Sequence, residues 1–339
     1  MKIRVSAVNW DCSLPSDTYF GFYQTRTLSP RKYRTATPFY ADILGEDAID
    51  YHVREQEEFD QELAYAIEAG IDYLSYVFYP DEGSRNYVST DPEDCSHKVY
   101  ELNYARRMHE SSPLKDKIGM AAILGPHPFA ESDYLALAKL LQQPYYEKVD
   151  GRPIVYFFSL KSEYVEGVLR AVERVGGEKP LLFGMNGLAP ERMHLVDGCA
   201  AYACGPSNIA THRELVNVAM RKNLERARKA PLTVPLFPTG WDPSPRVDQK
   251  SPWVDYPNEP YAKTATPEEL IEGGKRFCDF IKESQNVSGT FFGHILMFAW
   301  NEFEEGGWIC PTYNEDLTVN TERIGAVSEI IEFWKKSLA

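Results

Sequence analysis

The stretch Phe291-Phe-Gly-His-Ile-Leu-Met-Phe-Ala-Trp300 is almost unbroken in apolar character, and it runs straight into Asn301-Glu302-Phe303-Glu304-Glu305-Gly306-Gly307-Trp308. An apolar run without polar alternation suits a strand covered on both faces, as in parallel sheets flanked by helices. Seven shorter runs of the same kind precede it: Ile3 to Trp10, Tyr73 to Tyr79, Ile118 to Leu124, Pro153 to Phe158, Leu181 to Met185, Cys199 to Tyr202 and Val234 to Phe237. Between them lie stretches of helical period. Phe59, Leu63, Ala66 and Ile67 share a face, with Gly70 as the stop signal. Leu270, Gly274, Phe277, Cys278 and Ile281 repeat the pattern, as do Ile324, Val327, Ile331 and Trp334, the last a core residue by its spacing. Thr266-Pro267-Glu268-Glu269 has the make-up of a helix start: cap, proline at the first position, acids in the first turn. The fifth helix, around Pro190 to Leu195, is expected to be a single short turn. Eight strands interleaved with helices predict an α/β fold, a single (β/α)8 TIM barrel spanning residues 1–339.

Two connections exceed the usual 2–6 residues of a βα loop: Asp11 to Tyr51 after strand one, and Thr239 to Ala265 after strand seven. Both belong on the C-terminal face of the barrel, where such enzymes carry their sites.

Composition narrows the function. The 339 residues carry 36 Lys+Arg against 50 Asp+Glu, a net charge of −14, which disfavours nucleic acid or an anionic membrane as partner. No segment approaches the ~20 apolar residues of a membrane span. The first run reads as a strand rather than a signal peptide. Six dispersed cysteines (Cys12, Cys95, Cys199, Cys204, Cys278, Cys310), with no C-x-x-C, suit a reducing compartment, so a cytoplasmic location is expected. Scattered histidines and the lack of H-E-x-x-H give no support for a metal site, and no cofactor is expected. G-x-G-x-x-G, G-x-x-x-x-G-K-[ST] and G-x-S-x-G are all missing, which disfavours dinucleotide, nucleotide and serine-hydrolase chemistry. The sequence is silent on oligomeric state.

The chemistry-bearing place is the end of strand eight. Glu302 and Glu305 are three apart, so a turn of helical pitch brings both to one side. Two adjacent carboxylates are costly unless one holds a proton, the condition for a general acid beside a base. Glycoside cleavage uses such a pair: one group protonates the departing oxygen while the other assists opposite. An acidic loop is ordinarily a solvated turn. Here it leaves a barrel strand between Trp300, Asn301 and Trp308, and that position favours chemistry.

Trp300-Asn301-Glu302-Phe303-Glu304-Glu305-Gly306 resembles the W-N-E-W-x-E-G motif of glycoside hydrolase family 99 and its broader WbsX-like relatives in polysaccharide biosynthesis. Ala69-Gly-Ile-Asp-Tyr73 with Tyr76-Val-Phe-Tyr79 resembles their second strand, Lys148-Val-Asp-Gly-Arg-Pro-Ile-Val-Tyr156 their lead-in to strand four, and Gly240-Trp-Asp-Pro-Ser-Pro-Arg246 their loop after strand seven. The resemblance implies a retaining, endo-acting glycosidase on an oligo- or polysaccharide. By motif position, Glu302 assists at the sugar 2-hydroxyl or serves as nucleophile or base, and Glu305 is general acid/base. Phe303 and Glu304 depart from the motif. A glycosyl-transferring enzyme of surface-polysaccharide assembly and a non-catalytic glycan-binding barrel are the alternatives.

Other candidates for contact with a sugar surround the same mouth. Trp241 and Trp308 offer flat faces. Trp10, Tyr79, His127, Asn186 and Tyr202 end strands one, two, three, five and six, and Asn301 and Tyr313 lie on or beyond the strand-eight loop. Asp242 and Arg246 are expected to pair with each other and shape the strand-seven loop.

Overall fold

A computed structural model describes residues 3–11, 13–80, 102–185, 190–205, 208–251, 260–288 and 291–338. Eight barrel strands follow the expected order: β1 (Arg4–Asn9), β2 (Tyr73–Phe78), β3 (Gly119–Leu124), β4 (Arg152–Phe157), β5 (Leu181–Gly184), β6 (Gly198–Cys199), β7 (Leu232–Thr233 and Leu236–Pro238) and β8 (His294–Phe298). All pair in parallel with their neighbours, β1 lying between β8 and β2. The first half of β7 pairs with β6 and the second half with β8, so one backbone run closes the ring. Pro235 has no N–H to give and interrupts β7, yet the run stays bonded across the break. The Val234 N–H reaches the Cys199 carbonyl at 2.9 Å, and the Leu296 N–H reaches the Pro235 carbonyl at 3.0 Å. The fold is an α/β TIM barrel.

Helices cover the outside: α1 (Tyr19–Leu28), α2 (Gln56–Glu68), α3 (Tyr104–Ser111), α4 (Glu131–Leu140), α5 (Ser162–Arg174), α6 (His212–Ala227), the short α7 (Ser244–Asp248), α8 (Pro267–Ser288) and α9 (Glu322–Ser337). Their starts follow local chemistry. At α8 the Thr266 hydroxyl accepts from the Glu269 N–H at 3.2 Å, while Glu269 accepts from the Thr266 N–H at 3.0 Å, a reciprocal cap. Thr211 and Glu214 make the same exchange at α6. The fifth connection is a 3-10 turn over Pro190–Leu195, as short as expected. Trp334 is fully buried and donates to the Gly274 carbonyl at 2.7 Å, tying α9 to α8.

The long first connection differs from an open loop. It holds α1, a 3-10 turn (Arg31–Ala36) and a hairpin of Asp42–Gly45 with Ala48–Asp50. Together with α7 of the strand-seven connection, α1 packs against the turn after β8.

At the opposite, N-terminal end, Arg4 bonds Glu147 and Asp72, and His294 bonds Glu147 at 3.2 Å. Ionic pairing on that face belongs to stability. Among the described residues no helix is long and apolar enough to cross a membrane.

Candidate active site

The end of β8 folds back on itself. Asn301 and Glu302 pair antiparallel with Trp308 and Gly307, and a 3-10 turn over Phe303–Glu305 joins the two arms. Gly306 closes the turn at φ 72°, a conformation that favours glycine. Space demands glycine there as well: a Cβ would lie 2.4 Å from the Asp242 backbone nitrogen, and one on Gly240 would lie 1.9 Å from the Gly306 carbonyl oxygen. The strand-seven and strand-eight loops therefore touch backbone to backbone, and the Asp242 N–H donates to the Glu305 carbonyl at 2.7 Å.

That contact sets α7 above the turn and aims Arg246 into it. The guanidinium reaches all three glutamates: Nε donates to Glu304 Oε2 at 2.7 Å, Nη2 lies 3.3 Å from Glu302 Oε2, and Nη1 bonds Glu305 Oε1. Exposure of Glu302, Glu304 and Glu305 is 4%, 2% and 7%, so these charges are out of bulk water. The Tyr202 hydroxyl donates to the other oxygen of Glu302. From α1, the buried Thr27 hydroxyl lies 2.7 Å from Glu304 Oε1 and 2.8 Å from the Gln24 carbonyl.

Three carboxyls against one guanidinium leave a surplus of buried negative charge, which burial penalises. Burial first, then the Glu305 charge, push the Glu302 carboxyl up to about 8, against the opposing pull of Arg246 and the Tyr202 hydroxyl. Glu302 faces the farthest guanidinium nitrogen of the three. It is therefore the carboxyl of the three whose surroundings favour the protonated form at neutral pH. Burial and the Glu302 charge hold the Tyr202 phenol well above its usual range.

Around this cluster the structure gathers several candidates and separates others. The Trp10 ring meets Tyr202 edge-on at 5.9 Å and Tyr79 at 6.0 Å, and Tyr79 lies 5.3 Å from the His127 ring. Burial pulls His127 down, favouring the neutral imidazole. Half-buried Trp10 and His127 thus share one row with Tyr202 and the acids. Trp241 packs on Phe298 at 5.7 Å and is 7% exposed, while Trp308 is 4% exposed with Arg323 5.0 Å over its ring. Neither ring offers solvent the broad face expected of it.

Asn301 and Tyr313 are occupied by the backbone, and Trp300 by a buried acid. The Asn301 amide accepts from the Trp10 N–H at 2.8 Å and donates to the Trp10 carbonyl at 2.6 Å, locking β8 to β1. The Tyr313 hydroxyl donates to the Phe39 carbonyl at 2.7 Å. Trp300, fully buried, donates to Glu62 at 2.7 Å, and Glu62 pairs with buried Arg54. Asn186 lies outside the described residues.

The expected Asp242–Arg246 pair is corrected. Asp242 accepts from the Ser244 N–H at 3.1 Å and from its hydroxyl, starting α7, while Arg246 points away into the glutamates. One helical turn separates the two positions, but the buried carboxyls are the stronger competitors for the guanidinium. Sequence reasoning also missed Thr27 and the burial of Glu304. Glu304 departs from the family motif and was the available signal; nothing in the sequence marks Thr27. Among the described residues no group of three or more His, Cys, Asp or Glu is arranged to hold a metal ion.

Fold and site together define a (β/α)8 barrel with an acidic, aromatic-rimmed mouth. The chain aligns with the family 99 endo-α-mannosidase from Bacteroides thetaiotaomicron at TM-score 0.59 and 10% identity, covering 99% of this chain and 98% of that one. A structure of the family 99 endo-α-mannosidase from that organism in complex with bis-tris propane gives 0.58 at 12% identity, with the same coverage. A glycoside hydrolase-like protein gives 0.60 at 12%, covering 97% and 94%. This is a family 99-like fold. No family model and no curated protein matches the sequence.

Proposed function

We propose that the protein is a glycoside hydrolase, retaining and endo-acting on an oligo- or polysaccharide, with Glu302 and Glu305 as its working pair. The observation that carries this reading is the shared guanidinium: Arg246 binds both carboxyls, and the buried pair is arranged to hold one proton between them. One protonated and one ionised carboxyl at a barrel mouth is the arrangement glycoside cleavage needs. Likeness of fold to family 99 endo-α-mannosidase structures supports it. Trp10 and His127, at the rim of the row, are the side chains proposed to meet the sugar. Four cysteines (Cys199, Cys204, Cys278, Cys310) are free and buried, which fits a reducing compartment.

Motif position gives Glu302 the 2-hydroxyl, as base or nucleophile, and Glu305 the leaving oxygen. The proton on Glu302 favours the exchanged assignment, with Glu302 as acid and Glu305 as base. Substrates with good leaving groups separate the two, because they need no proton donor. Incubation with defined α- and β-linked glycans, followed by NMR, gives substrate and stereochemistry. Glu302→Gln and Glu305→Gln should each abolish turnover of the natural linkage, and whichever variant retains cleavage of an activated aryl glycoside identifies the acid. Full activity in both variants refutes the proposal.

A further inference from the structure

Glu304 is the acid that the two-carboxylate chemistry leaves unused. Its burial is nearly complete, and both its oxygens are occupied: the Thr27 hydroxyl of α1, which also lies 2.8 Å from the Gln24 carbonyl, contacts one and Arg246 Nε donates to the other, each at 2.7 Å. A guanidinium is planar, so fixing the direction of Nε fixes both terminal nitrogens. With Nε on Glu304, Nη1 falls on Glu305 and Nη2 on Glu302.

We infer that Glu304 is a positioning residue, which with Thr27 holds the Arg246 guanidinium in the one orientation that serves Glu302 and Glu305 together. This rests on the glycosidase reading. Glu304 acts through Arg246, and its own charge also disfavours ionisation of Glu302. The groups facing Glu302 are Glu305 and Glu304 of its own turn, Arg246 of α7 and Tyr202 beyond β6. Elsewhere on α1, Arg26 is exposed, and Asp248 of α7 is engaged by Lys32 and Tyr33 at the surface.

Two replacements bear on this. Glu304→Gln removes a like charge beside Glu302, which by itself favours the ionised Glu302 whether or not Arg246 moves. The Glu302 titration should move down by about one pH unit, the size of effect a nearby like charge produces. Thr27→Val, nearly isosteric, keeps every charge of the cluster but removes the Thr27 contact to Glu304. Arg246, no longer braced through Glu304, then pulls less on Glu302, and the Glu302 midpoint rises.

The test reads the substrate-free protein and the reaction separately. Infrared titration of the protonated carboxyl band, assigned by its loss in Glu302→Gln, reports the midpoint without any glycan. The pH profile of kcat/KM on the cleaved glycan reports the limb that follows Glu302. Positioning predicts that band and limb shift together to higher pH in Thr27→Val, which changes no charge, whereas the downward shift in Glu304→Gln follows from the lost charge alone. A merely structural role lowers the thermal stability of Thr27→Val and leaves its band and limb where they are, which overturns the inference. Should Glu304→Gln fail to fold, an unmoved midpoint in Thr27→Val overturns it equally. A band that moves in Thr27→Val, in a protein cleaving no glycan, upholds the positioning of Arg246 and refutes the glycosidase reading instead.

Discussion

Removing Arg246 tests the electrostatics of the site most directly. In Arg246→Met the apolar stem remains, while three carboxyls, none more than 7% exposed, lose the guanidinium that bonds them all. Deleting one partner of a buried ion pair costs about 3–5 kcal/mol. At pH 8 Glu302, raised to about 8, is half ionised and shares the loss, so the upper end of that range is expected there. With an unfolding entropy of roughly 2.1 cal/mol/K per residue, the chain loses about 0.7 kcal/mol/K at its midpoint, and Tm should drop by about 4–7 °C. The pH dependence fixes the cause. Without the cation, the folded variant binds more protons than the unfolded chain, so its stability falls as pH rises and the deficit against wild type narrows toward pH 5. Thermal or urea melts of wild type, Arg246→Met and Arg246→Lys at pH 5 and pH 8 supply the comparison. Lys keeps the charge but not the fork, and should recover part of the loss. A deficit below about 1 kcal/mol at pH 8, or one that deepens at pH 5, refutes the reasoning.

Glu302 makes a related prediction in the intact cluster. Its folded titration is raised to about 8, so the stability it contributes is present below the ordinary carboxylate range and is lost as pH climbs through 8. Glu302→Gln, which cannot ionise, should match wild type near pH 4 and exceed it at pH 9 in urea midpoint; equal midpoints at pH 9 count against the burial argument. Arg323 is a separate clamp. Its guanidinium donates to the carbonyls of Trp308, Ala265 and Thr239 at 2.7–2.9 Å, tying the strand-seven connection to the strand-eight loop. Arg323→Met strands those three acceptors and should cost about 2–4 kcal/mol by urea denaturation, whereas a loss within 0.5 kcal/mol would place the clamp outside the stability of the loops.

The barrel was legible because its signal is local. A strand buried on both faces writes itself as a run of apolar residues, and all eight runs match strands. The boundaries fail where tertiary pairing decides them. Of the sixth run, Cys199 to Tyr202, only Cys199 lies in the strand, which begins one residue earlier at Gly198, and Tyr202 turns out of the ladder to Glu302. In the first connection, helix α1 escaped notice for a physical reason. It is wedged between the barrel mouth and the turn after β8, buried on most sides, so Tyr19-Phe-Gly-Phe-Tyr-Gln-Thr-Arg-Thr-Leu28 shows no one-sided apolar stripe. Gly21 sits there because the Pro15 carbonyl lies 2.1 Å from where its Cβ would be.

Within the site the same division holds. Glu302 and Glu305 were legible as a pair because three positions of chain separate them. Arg246 lies 58 positions from Glu304 and Thr27 lies 277, and no periodicity reports such distances. What brings them together is backbone. Gly240 and Gly306 let two loops approach closer than any side chain allows, and the Asp242–Glu305 hydrogen bond then fixes where α7 begins. Arg246 follows from that start by one helical turn. The glycines in Gly240-Trp-Asp and Glu304-Glu-Gly306-Gly are therefore part of the charge arrangement, although they carry no charge. A buried cluster of three carboxyls and one guanidinium is costly on its own terms. It persists because the loops that impose it are held by backbone contacts and by Arg323, independent of the charges themselves. Geometry fixed in this way can keep a proton on Glu302 that free side chains would give up to water.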